Sequence, residues 1–512
     1  MTSNNTNFLL GLTTGIALCS AAFTVYAATV INNVVKDNNN FQTITATAAI
    51  SSTAINDSTP SPETLERLSS MFAINSDKLN QIVRHFVSEM KKGLNSDKSG
   101  LLMIPSHVVN LPNGKEHGSF LALDLGGTNF RVCEVLLDGH SGARVRQSKH
   151  TVTDEQKALP GDQLFDFFAQ CVTNFLIEGL ASPITNPLAE IAKRHWRLGF
   201  TFSFATNQVA IAEGYLILWN KGFSNSGVIG ANVVQLLEAA LKRAGLASIT
   251  VTALVNDTTG TLVSHAYVQP STRVGVILGT GTNCAYVEKI ENITKYKNVD
   301  PNVKEMLVNT EWGAFDDEQV IVPRNKYDVN VDRSMNGMGK YTFEKLISGM
   351  YLGEIVRFVL VDLVKTGEIF SAGASPELKM PHSFETAFMS RIERDHTLDL
   401  SDTRTVLENM LKISRTTLAD RRLVKSLCEL VGKRSARLSA AGIAAVVTKM
   451  NKLDGCTVGI DGSLFELYPH YSNRMRDALR EILGLSAEYI VLEQARDGSG
   501  QGAALIAALA EK

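Results

Sequence analysis

Closely spaced cysteines and histidines are missing from this sequence. Its six cysteines are scattered over 512 residues without a CxxC pair, and its ten histidines show no HExxH or comparable ligand spacing. The spacing therefore argues against a zinc site and gives no support to a disulfide framework, so we expect a reducing compartment. The net charge is only −2, and this balance gives no electrostatic indication of a nucleic-acid partner.

Two familiar phosphate-binding patterns are also missing or incomplete. The chain has no P-loop of the form G-x-x-x-x-G-K-[ST]. The segment GSGQGA at 498–503 satisfies G-x-G-x-x-A, but a dinucleotide fingerprint also needs a βαβ unit and an acidic residue about 20 positions further on. The segment lacks that context and therefore fails as a dinucleotide fingerprint.

The composition is that of a globular protein with a large core. Hydrophobic residues make up 44% of the chain and charged residues 20%, and the length favours about two to four domains. Apolar residues first return at helical spacing with Leu65, Leu68 and Met71, which predicts that the globular body begins near residue 62.

The N-terminus carries no charged side chain before Lys36, and residues 8–31 are apolar or small throughout. A bilayer is crossed by about 20 such residues, so residues 1–35 are predicted to form a membrane anchor. A cleaved secretory signal is an alternative, although it lacks the basic n-region, and an organellar transit peptide is disfavoured because it would be rich in Arg. Residues 36–61, rich in Asn, Thr, Ser and Ala, predict a flexible linker.

The most informative stretch is FLALDLGGTNFRVCEVL at 120–136. Two apolar runs flank Asp124-Leu125-Gly126-Gly127-Thr128-Asn129, which predicts a strand, a glycine turn and a second strand. Paired glycines leave backbone N–H groups uncovered, so a phosphate can approach closely. The carboxylate of Asp124 could hold a hydrated Mg²⁺ beside that phosphate. An ordinary hairpin with a glycine turn is the alternative.

Related glycine turns recur further along the chain. The segment VGVILGTGTNCAYV at 274–287 has the same strand–turn–strand layout, which either duplication or a chance resemblance of hairpins explains. Two such hairpins facing one another could grip a polyphosphate. A third turn follows the strand-like residues near Val458, and Ala503 to Leu509 predict a helix, which would place Gly500 to Gly502 at its positive end.

Between the two hairpins, a strand-like run ends at Asn256-Asp257 and a helix is predicted to begin. An Asp at a helix start is usually a cap. At the C-terminal end of a strand and near a phosphate site, it could instead accept a proton from a substrate hydroxyl. Both interpretations of Asp257 stay open on the local sequence.

Many ordered segments together resemble the eukaryotic hexokinase family, especially its plant-type members. The similarity runs from about residue 62 to 509 and includes LALDLGGTNFRV (121–132), LGFTFSF (198–204), WNKGF (219–223), ALVNDTTGTL (253–262), GVILGTGTN (275–283), EWGAF (311–315), TFEKLISGMYLGEIVR (342–357), RLSAAGI (437–443), IDGSLFELYPHY (460–471) and DGSGQGAAL (497–505).

The resemblance implies an α/β fold of two actin-like (ribonuclease H-like) domains, small and large, closing over a cleft. It assigns 62–119 and 257–497 to the large domain, and 120–256 and 498–512 to the small one. The implied activity is ATP-dependent phosphorylation of a hexose at its 6-hydroxyl, the first step of glycolysis, with D-glucose as the expected acceptor.

The resemblance also implies roles for particular residues. Asp257 resembles the general base, with Lys221 as a second catalytic residue. Carboxylates and amides hydrogen-bond a polyol from several directions, and the implied sugar ligands are Ser203, Asn220, Lys221, Asn256, Asp257, Asn283, Glu311 and Glu344.

The implied ATP site contains the phosphate-gripping turns, with Asp124 positioning Mg²⁺ through water, and the stretches around Ser439 and Gly500 as the adenosine pocket. Its residues are Asp124, Gly126, Gly127, Thr128, Asn129, Arg131, Gly279, Thr280, Gly281, Thr282, Ser439, Gly462, Ser463, Gly498, Ser499 and Gly500.

Three departures from the family pattern cluster around the sugar. Ala205 replaces a proline after the predicted sugar-binding serine, which should loosen that loop. Asn220 replaces a threonine, and Met338 and Tyr341 stand where the family has a proline and a glutamine. Because a displacement of about 1 Å can cost about 100-fold in rate, a hexokinase-like glucose-binding regulator with weak or no activity is the alternative function.

Asn256-Asp257-Thr258 forms an N-x-[ST] glycosylation sequon within the predicted sugar site, so a secretory route would risk blocking the cleft. We therefore expect an N-terminal anchor with the body facing the cytosol. By resemblance to anchored family members, the mitochondrial outer membrane is the expected location and the plastid is the alternative. We expect a monomer whose partners are a hexose, ATP and the membrane.

Overall fold

The structure is a computed structural model, and it describes residues 59–96, 99–180, 185–219, 221–297, 300–335, 337–496 and 498–510. The predicted anchor, residues 36–58 of the predicted linker and Asn220 lie outside the described residues. Ser61–Thr416 and Asp420–Lys512 belong to one compact unit. The residue boundaries assigned to the small and large domains stay a prediction. Among the described residues, no helix has the length and apolar character needed to cross a membrane.

The strands are β1 Ile104–Pro105, β2 His117–Leu125, β3 Asn129–Asp138, β4 Ala143–Thr151, β5 Trp196–Phe202, β6 Thr206–Ala210, β7 Glu213–Leu216, β8 Ile249–Val255, β9 Thr272–Leu278, β10 Thr282–Lys289, β11 Glu305–Asn309, β12 Cys456–Asp461 and β13 Ile490–Gln494.

The α-helices are α1 Pro62–Phe72, α2 Ser76–Asn95, α3 Asp154–Ala158, α4 Gly161–Glu178, α5 Pro187–Ile191, α6 Val233–Arg243, α7 Asp257–Val268, α8 Lys326–Ser334, α9 Thr342–Ile347, α10 Gly349–Lys365, α11 Pro376–Lys379, α12 Thr386–Glu393, α13 Ser401–Arg404, α14 Leu418–Lys449, α15 Ser463–Leu467, α16 Tyr471–Leu483 and α17 Gly498–Leu509. Short 3₁₀ helices cover Ile290–Asn292, Trp312–Ala314 and Gly484–Tyr489, and a π-helical turn covers Thr405–Met410.

Two mixed sheets share one strand order. The first runs β4-β3-β2-β5-β8, and the second runs β11-β10-β9-β12-β13 with β1 added at the β11 edge. In each sheet the first three strands pair antiparallel, and the next two extend the sheet in parallel. The strand–turn–strand predictions for both hairpins are confirmed. The shared order also favours duplication over a chance resemblance of hairpins.

The strands beside the site are buried on both faces. From Phe120 to Leu125, β2 is buried at every position, as expected for a strand covered by helices on both sides of the sheet. One face packs on aromatic residues of α4, among them Phe165 and Phe168, and the other packs on α17. This burial fixes the end of β2, where Asp124 lies.

Helices α7 and α17 cross at very close range. A Cβ added to Gly502 would lie 2.1 Å from the backbone oxygen of Gly260, and one added to Gly260 would lie 3.1 Å from the oxygen of Gly498. The glycines therefore let the two helix backbones touch, and this contact fixes the N-terminus of α7.

The helix predicted from Ala503 to Leu509 begins earlier, at Gly498. Gly500 consequently lies in the first turn, at the positive end of the helix as predicted. Gly502 lies one turn further in, and its placement at the helix start is corrected. The glycine-rich sequence favours a turn, but close packing against α7 holds these residues in the helix.

Candidate active site

A small polar cavity of about 70 Å³ lies where β5, β8 and β11 end and β10 begins. The predicted sugar ligands that the structure describes all line it. Seven further residues also line the cavity, among them Ala205, Gly313 and Tyr341. The predicted ligands in the lining are Ser203, Lys221, Asn256, Asp257, Asn283, Glu311 and Glu344. Segments up to 141 residues apart therefore converge on one site.

Asp257 is the first residue of α7, directly after β8. The helix is capped by Asn256, whose side-chain oxygen accepts from the backbone N–H of Thr258 at 2.9 Å. Asp257 Oδ1 accepts from the same N–H at 2.8 Å. Because Asn256 supplies the cap, the capping interpretation of Asp257 is replaced: its carboxylate is held at the helix start and lines the cavity.

Lys221 reaches the cavity from a strained backbone position. Its φ angle is +54°, in the left-handed region, and its ammonium donates to the backbone oxygen of Ser203 at 2.6 Å. A Cβ on Gly127 would lie 3.1 Å from the Lys221 side chain, so the glycine of the β2–β3 turn leaves room for it. This contact connects the first glycine turn to the cavity.

The loop that carries Ala205 is held in place at both ends. The Ser203 N–H donates to the oxygen of Leu125 at 3.3 Å, and the Ile217 N–H donates to the oxygen of Ala205 at 3.0 Å. Ala205 itself is buried. The expected loosening from the loss of proline is therefore opposed by these backbone hydrogen bonds.

An amide network orients Glu311 on the opposite wall. Asn283 donates to Glu311 Oε1 at 3.0 Å, and Asn309 donates to the same oxygen at 2.8 Å. Asn283 also donates to Asn309 at 2.8 Å. Sequence reasoning missed Asn309, the last residue of β11; its position two residues before Glu311 was the available signal.

Burial raises the pKa of both glutamates on this wall. The Glu344 pKa rises to about 7, although the hydrogen bond from the Thr282 N–H at 2.9 Å and the charge of Lys221 oppose the shift, while Glu311 and Asp257 add to it. Burial likewise raises the pKa of Glu311, against hydrogen bonds from Asn309 and Asn283. Paired, half-buried carboxylates with raised pKa values mark a functional site.

The start of α9, which carries Glu344, is fixed by Asp317. This carboxylate accepts from the N–H of Thr342 at 2.8 Å and from the N–H of Tyr341 at 3.1 Å. The sequence carried no motif signal for Asp317, because its contact with α9 spans 25 residues and exists only in the folded chain.

Both predicted phosphate turns border this site. The Gly126 N–H closes the first turn on the oxygen of Asn129 at 3.0 Å, and the Gly279 N–H closes the second on the oxygen of Gly281 at 3.0 Å. A Cβ on Gly281 would lie 2.8 Å from Glu344 Oε2. Thr128 and Thr282 lie within or directly after these turns, and the Thr128 oxygen accepts from the Val152 N–H.

Asp124 lies at the end of β2, beside the first turn. Its Oδ2 accepts from the Ser499 hydroxyl at 2.6 Å and lies 3.8 Å from the Arg131 guanidinium. Burial raises the Asp124 pKa, whereas Ser499 and Arg131 lower it, and the charges of Asp257 and Lys221 also act on it. A buried carboxylate near the phosphate turns is a hard oxygen donor of the kind that divalent cations prefer.

A second cavity, of about 390 Å³, adjoins the second turn. Thr280 and Ser463 of the predicted ATP site line it, together with residues of α10, α12 and α15, among them Met350, Thr386 and Leu464. Gly462 packs on the turn itself, since a Cβ there would lie 2.4 Å from the Leu278 oxygen. The Gly279–Gly281 turn therefore borders both cavities, through Gly281 and Thr280 respectively.

Three members of the predicted ATP site face the protein interior. Ser439 is fully buried and bonds to the Ser435 oxygen at 3.0 Å and to the Tyr471 hydroxyl at 3.0 Å. Added Cβ atoms on Gly498 and Gly500 would meet Thr261 and Cys133 respectively. The assignment of Ser439 to nucleotide contact is therefore corrected, and the two glycines serve helix packing at these positions.

Known proteins are similar to this one along most of its chain. Two family models, both described as hexokinase, match residues 64–267 and 273–509. Hexokinase-1 of Schizosaccharomyces pombe is 41% identical over 450 residues, covering 88% of this chain and 91% of its own length. Hexokinase-2 of Saccharomyces cerevisiae is 39% identical over 459 residues, covering 88% of this chain and 92% of its own length.

A solved structure is similar over the same extent. The hexokinase of Schistosoma mansoni, in complex with glucose, superposes with a TM-score of 0.80 at 36% identity and covers 87% of this chain and 98% of its own. The predicted α/β fold of two actin-like domains is confirmed by such neighbours, while the finer resemblance to plant-type members stays a prediction. On the family models, the identity and the coverage together, the chain belongs to the hexokinase family.

Proposed function

We propose that this protein transfers the γ-phosphoryl group of ATP to the 6-hydroxyl of a hexose, with D-glucose as the acceptor. The observation that carries the proposal is the cavity that Asp257, Lys221, Glu311 and Glu344 line together beside two glycine turns. The glucose bound in the Schistosoma mansoni relative supports this choice of acceptor.

The chemistry follows from the position of Asp257. The hexose oxygen forms a bond to the γ-phosphorus while the bond from that phosphorus to the β–γ bridging oxygen breaks, and ADP leaves. The Asp257 carboxylate accepts the hydroxyl proton, and Lys221 sets positive charge beside the reacting oxygens. Holding both reactants in line supplies most of the remaining catalysis in phosphoryl transfer.

The family implies a divalent metal, and we propose Mg²⁺ near Asp124. The buried carboxylate beside the first glycine turn has the donor chemistry that Mg²⁺ requires, and in proteins this ion keeps several waters. When bound, such a cation neutralises phosphate charge during transfer.

For location, we propose that residues 1–35 anchor the protein in the mitochondrial outer membrane with the body in the cytosol. The support is the uncharged apolar stretch that precedes Lys36. Fusion of residues 1–61 to a fluorescent protein tests this directly, and a secreted or plastid-stromal reporter would contradict it.

The catalytic proposal is tested by glucose 6-phosphate formation in the full chain, with Asp257→Ala compared with wild type. Loss of a general base is expected to lower kcat by about 100- to 10,000-fold. The matched control is Asp454→Asn, which changes an exposed aspartate before β12 and should leave the rate unchanged. Equal rates for wild type and Asp257→Ala would refute the enzymatic function and favour the alternative of a glucose-binding regulator.

A further inference from the structure

Tyr341 has a backbone conformation that its residue type disfavours. Its φ angle is +51°, in the left-handed region, and a bulky residue there is an outlier whose cost must be offset by its surroundings. Asp317 provides that support by accepting hydrogen bonds from the N–H groups of Tyr341 and Thr342 at 3.1 and 2.8 Å. Lys221 and Glu311, which also line the cavity, share the left-handed conformation, so backbone strain is concentrated at this site.

The ring of Tyr341 forms part of the cavity wall. A Cβ on Gly313 would lie 3.2 Å from Tyr341 Cδ1 and 3.2 Å from Glu344 Cβ, so the glycine leaves the space that the ring fills. Within the part of the chain that the structure describes, no group hydrogen-bonds the Tyr341 hydroxyl. Burial, followed by the charges of Glu311, Glu344 and Asp317, raises the Tyr341 pKa, so the phenol keeps its proton and can donate it in a hydrogen bond.

Contacts along the wall place Tyr341 within the cavity. Asn283 donates to Asn256, the neighbour of Asp257, at 3.4 Å and to Glu311 Oε1 at 3.0 Å. Gly313, two residues after Glu311, packs against the Tyr341 ring. The contacts therefore run from the start of α7 through Asn283 and Glu311 to Tyr341, at the end of this wall away from Asp257. In a hexopyranose, C2 lies across the ring from C5, the carbon that carries the reacting hydroxymethyl group.

We propose that Tyr341 is a specificity-determining residue that contacts the C2 side of the hexose. Its hydroxyl donates a hydrogen bond to the C2 oxygen, and its ring excludes larger substituents at C2. This inference rests on the proposed function, because the direction of the sugar is set by its 6-hydroxyl at Asp257.

The test compares kcat/KM for D-glucose, 2-deoxy-D-glucose and N-acetyl-D-glucosamine in the full chain. Tyr341→Phe removes only the hydroxyl. It should lower kcat/KM for glucose about 3- to 10-fold, mainly through KM, because one hydrogen bond is lost. The same variant should leave kcat/KM for 2-deoxy-D-glucose within about 2-fold of the wild-type value, because that sugar has no C2 hydroxyl to receive the hydrogen bond.

Tyr341→Ala opens the wall and should raise the kcat/KM ratio of N-acetyl-D-glucosamine to glucose at least about 10-fold, the scale on which pocket size discriminates substrates. Tyr351→Phe is the matched control. Tyr351 is a half-buried tyrosine whose pKa is raised by burial and then by Glu344, yet it does not line the cavity. Tyr351→Phe should therefore leave the kcat/KM ratios between the three sugars unchanged. Equal losses for glucose and 2-deoxy-D-glucose in Tyr341→Phe, or an unchanged ratio in Tyr341→Ala, would overturn the inference.

Failure of the proposed function gives a different result. If the wild type turns over none of the three sugars, calorimetric titration of each sugar without nucleotide measures the same discrimination as a ratio of dissociation constants. Sugar binding whose C2 preference changes in the Tyr341 variants supports the inference without catalysis. The absence of any sugar binding overturns the inference together with the sugar site.

Discussion

The cavity proposed to hold the sugar and the proposed nucleotide side of the site are built from different kinds of contact. The sugar cavity is walled by polar side chains that fix one another, as Asn283 and Asn309 fix Glu311. The nucleotide side consists of glycine turns and of the close contact between α7 and α17. Hydrogen bonds between side chains therefore shape the first region, and close packing of the backbone shapes the second.

The largest expected effect of the comparison concerns Glu344, on the sugar side. Glu344→Gln removes a carboxylate acceptor, and hydrogen bonds to charged groups contribute about 1.5–3 kcal/mol. We expect kcat/KM for glucose to fall about 10- to 100-fold, with the KM for ATP changed less than about 2-fold. Equal increases in both KM values would show that the two regions are not independent.

The same variant has a pH signature in the sugar-free protein. The folded Glu344 pKa of about 7 exceeds the ordinary value of 4.5, so the native state binds more protons between these values and loses stability as pH rises through 7. Linkage limits this loss to about 3 kcal/mol. Urea denaturation at pH 5, 6.5 and 8 should find Glu344→Gln progressively more stable relative to wild type as pH rises. A pH-independent difference would contradict the raised pKa of Glu344.

A smaller effect is expected at the helix contact. Gly502→Ala places a Cβ 2.1 Å from the backbone oxygen of Gly260, and such overpacking destabilises by about 1–3 kcal/mol. Gly500→Ala is the control in the same helix, since its Cβ meets only the Cys133 side chain at 3.2 Å. The midpoint of thermal unfolding should fall more, and the KM for ATP should change more, in Gly502→Ala than in Gly500→Ala. The reverse order would contradict the close contact between α7 and α17.

The smallest expected effect is at Ser439. Because its hydroxyl bonds within the core, Ser439→Ala should cost about 1 kcal/mol of stability and leave the KM for ATP within about 2-fold. A tenfold increase in that KM without loss of stability would restore Ser439 to the nucleotide site.

The predicted sugar ligands could be named from the sequence because each lies in or beside a motif that resembles the family. Asp257, Glu311 and Glu344 are carboxylates within motifs that resemble the family, and the structure brings them to one cavity. Asn309 and Asp317 were missed, since neither belongs to such a motif and each acts by holding another residue. Tyr341 was noticed only as a departure from the pattern, and its place in the wall required the folded chain.

By itself, the sequence determined the two strand–turn–strand units and the family, because strand periodicity, glycine turns and ordered motifs are properties of the local sequence. Only the tertiary structure decided that α17 begins at Gly498 and that Ser439 lies in the core. The first outcome depends on the contact of Gly502 with Gly260 and the second on burial beside Tyr471, so packing between distant segments selects the conformation that the local sequence leaves open.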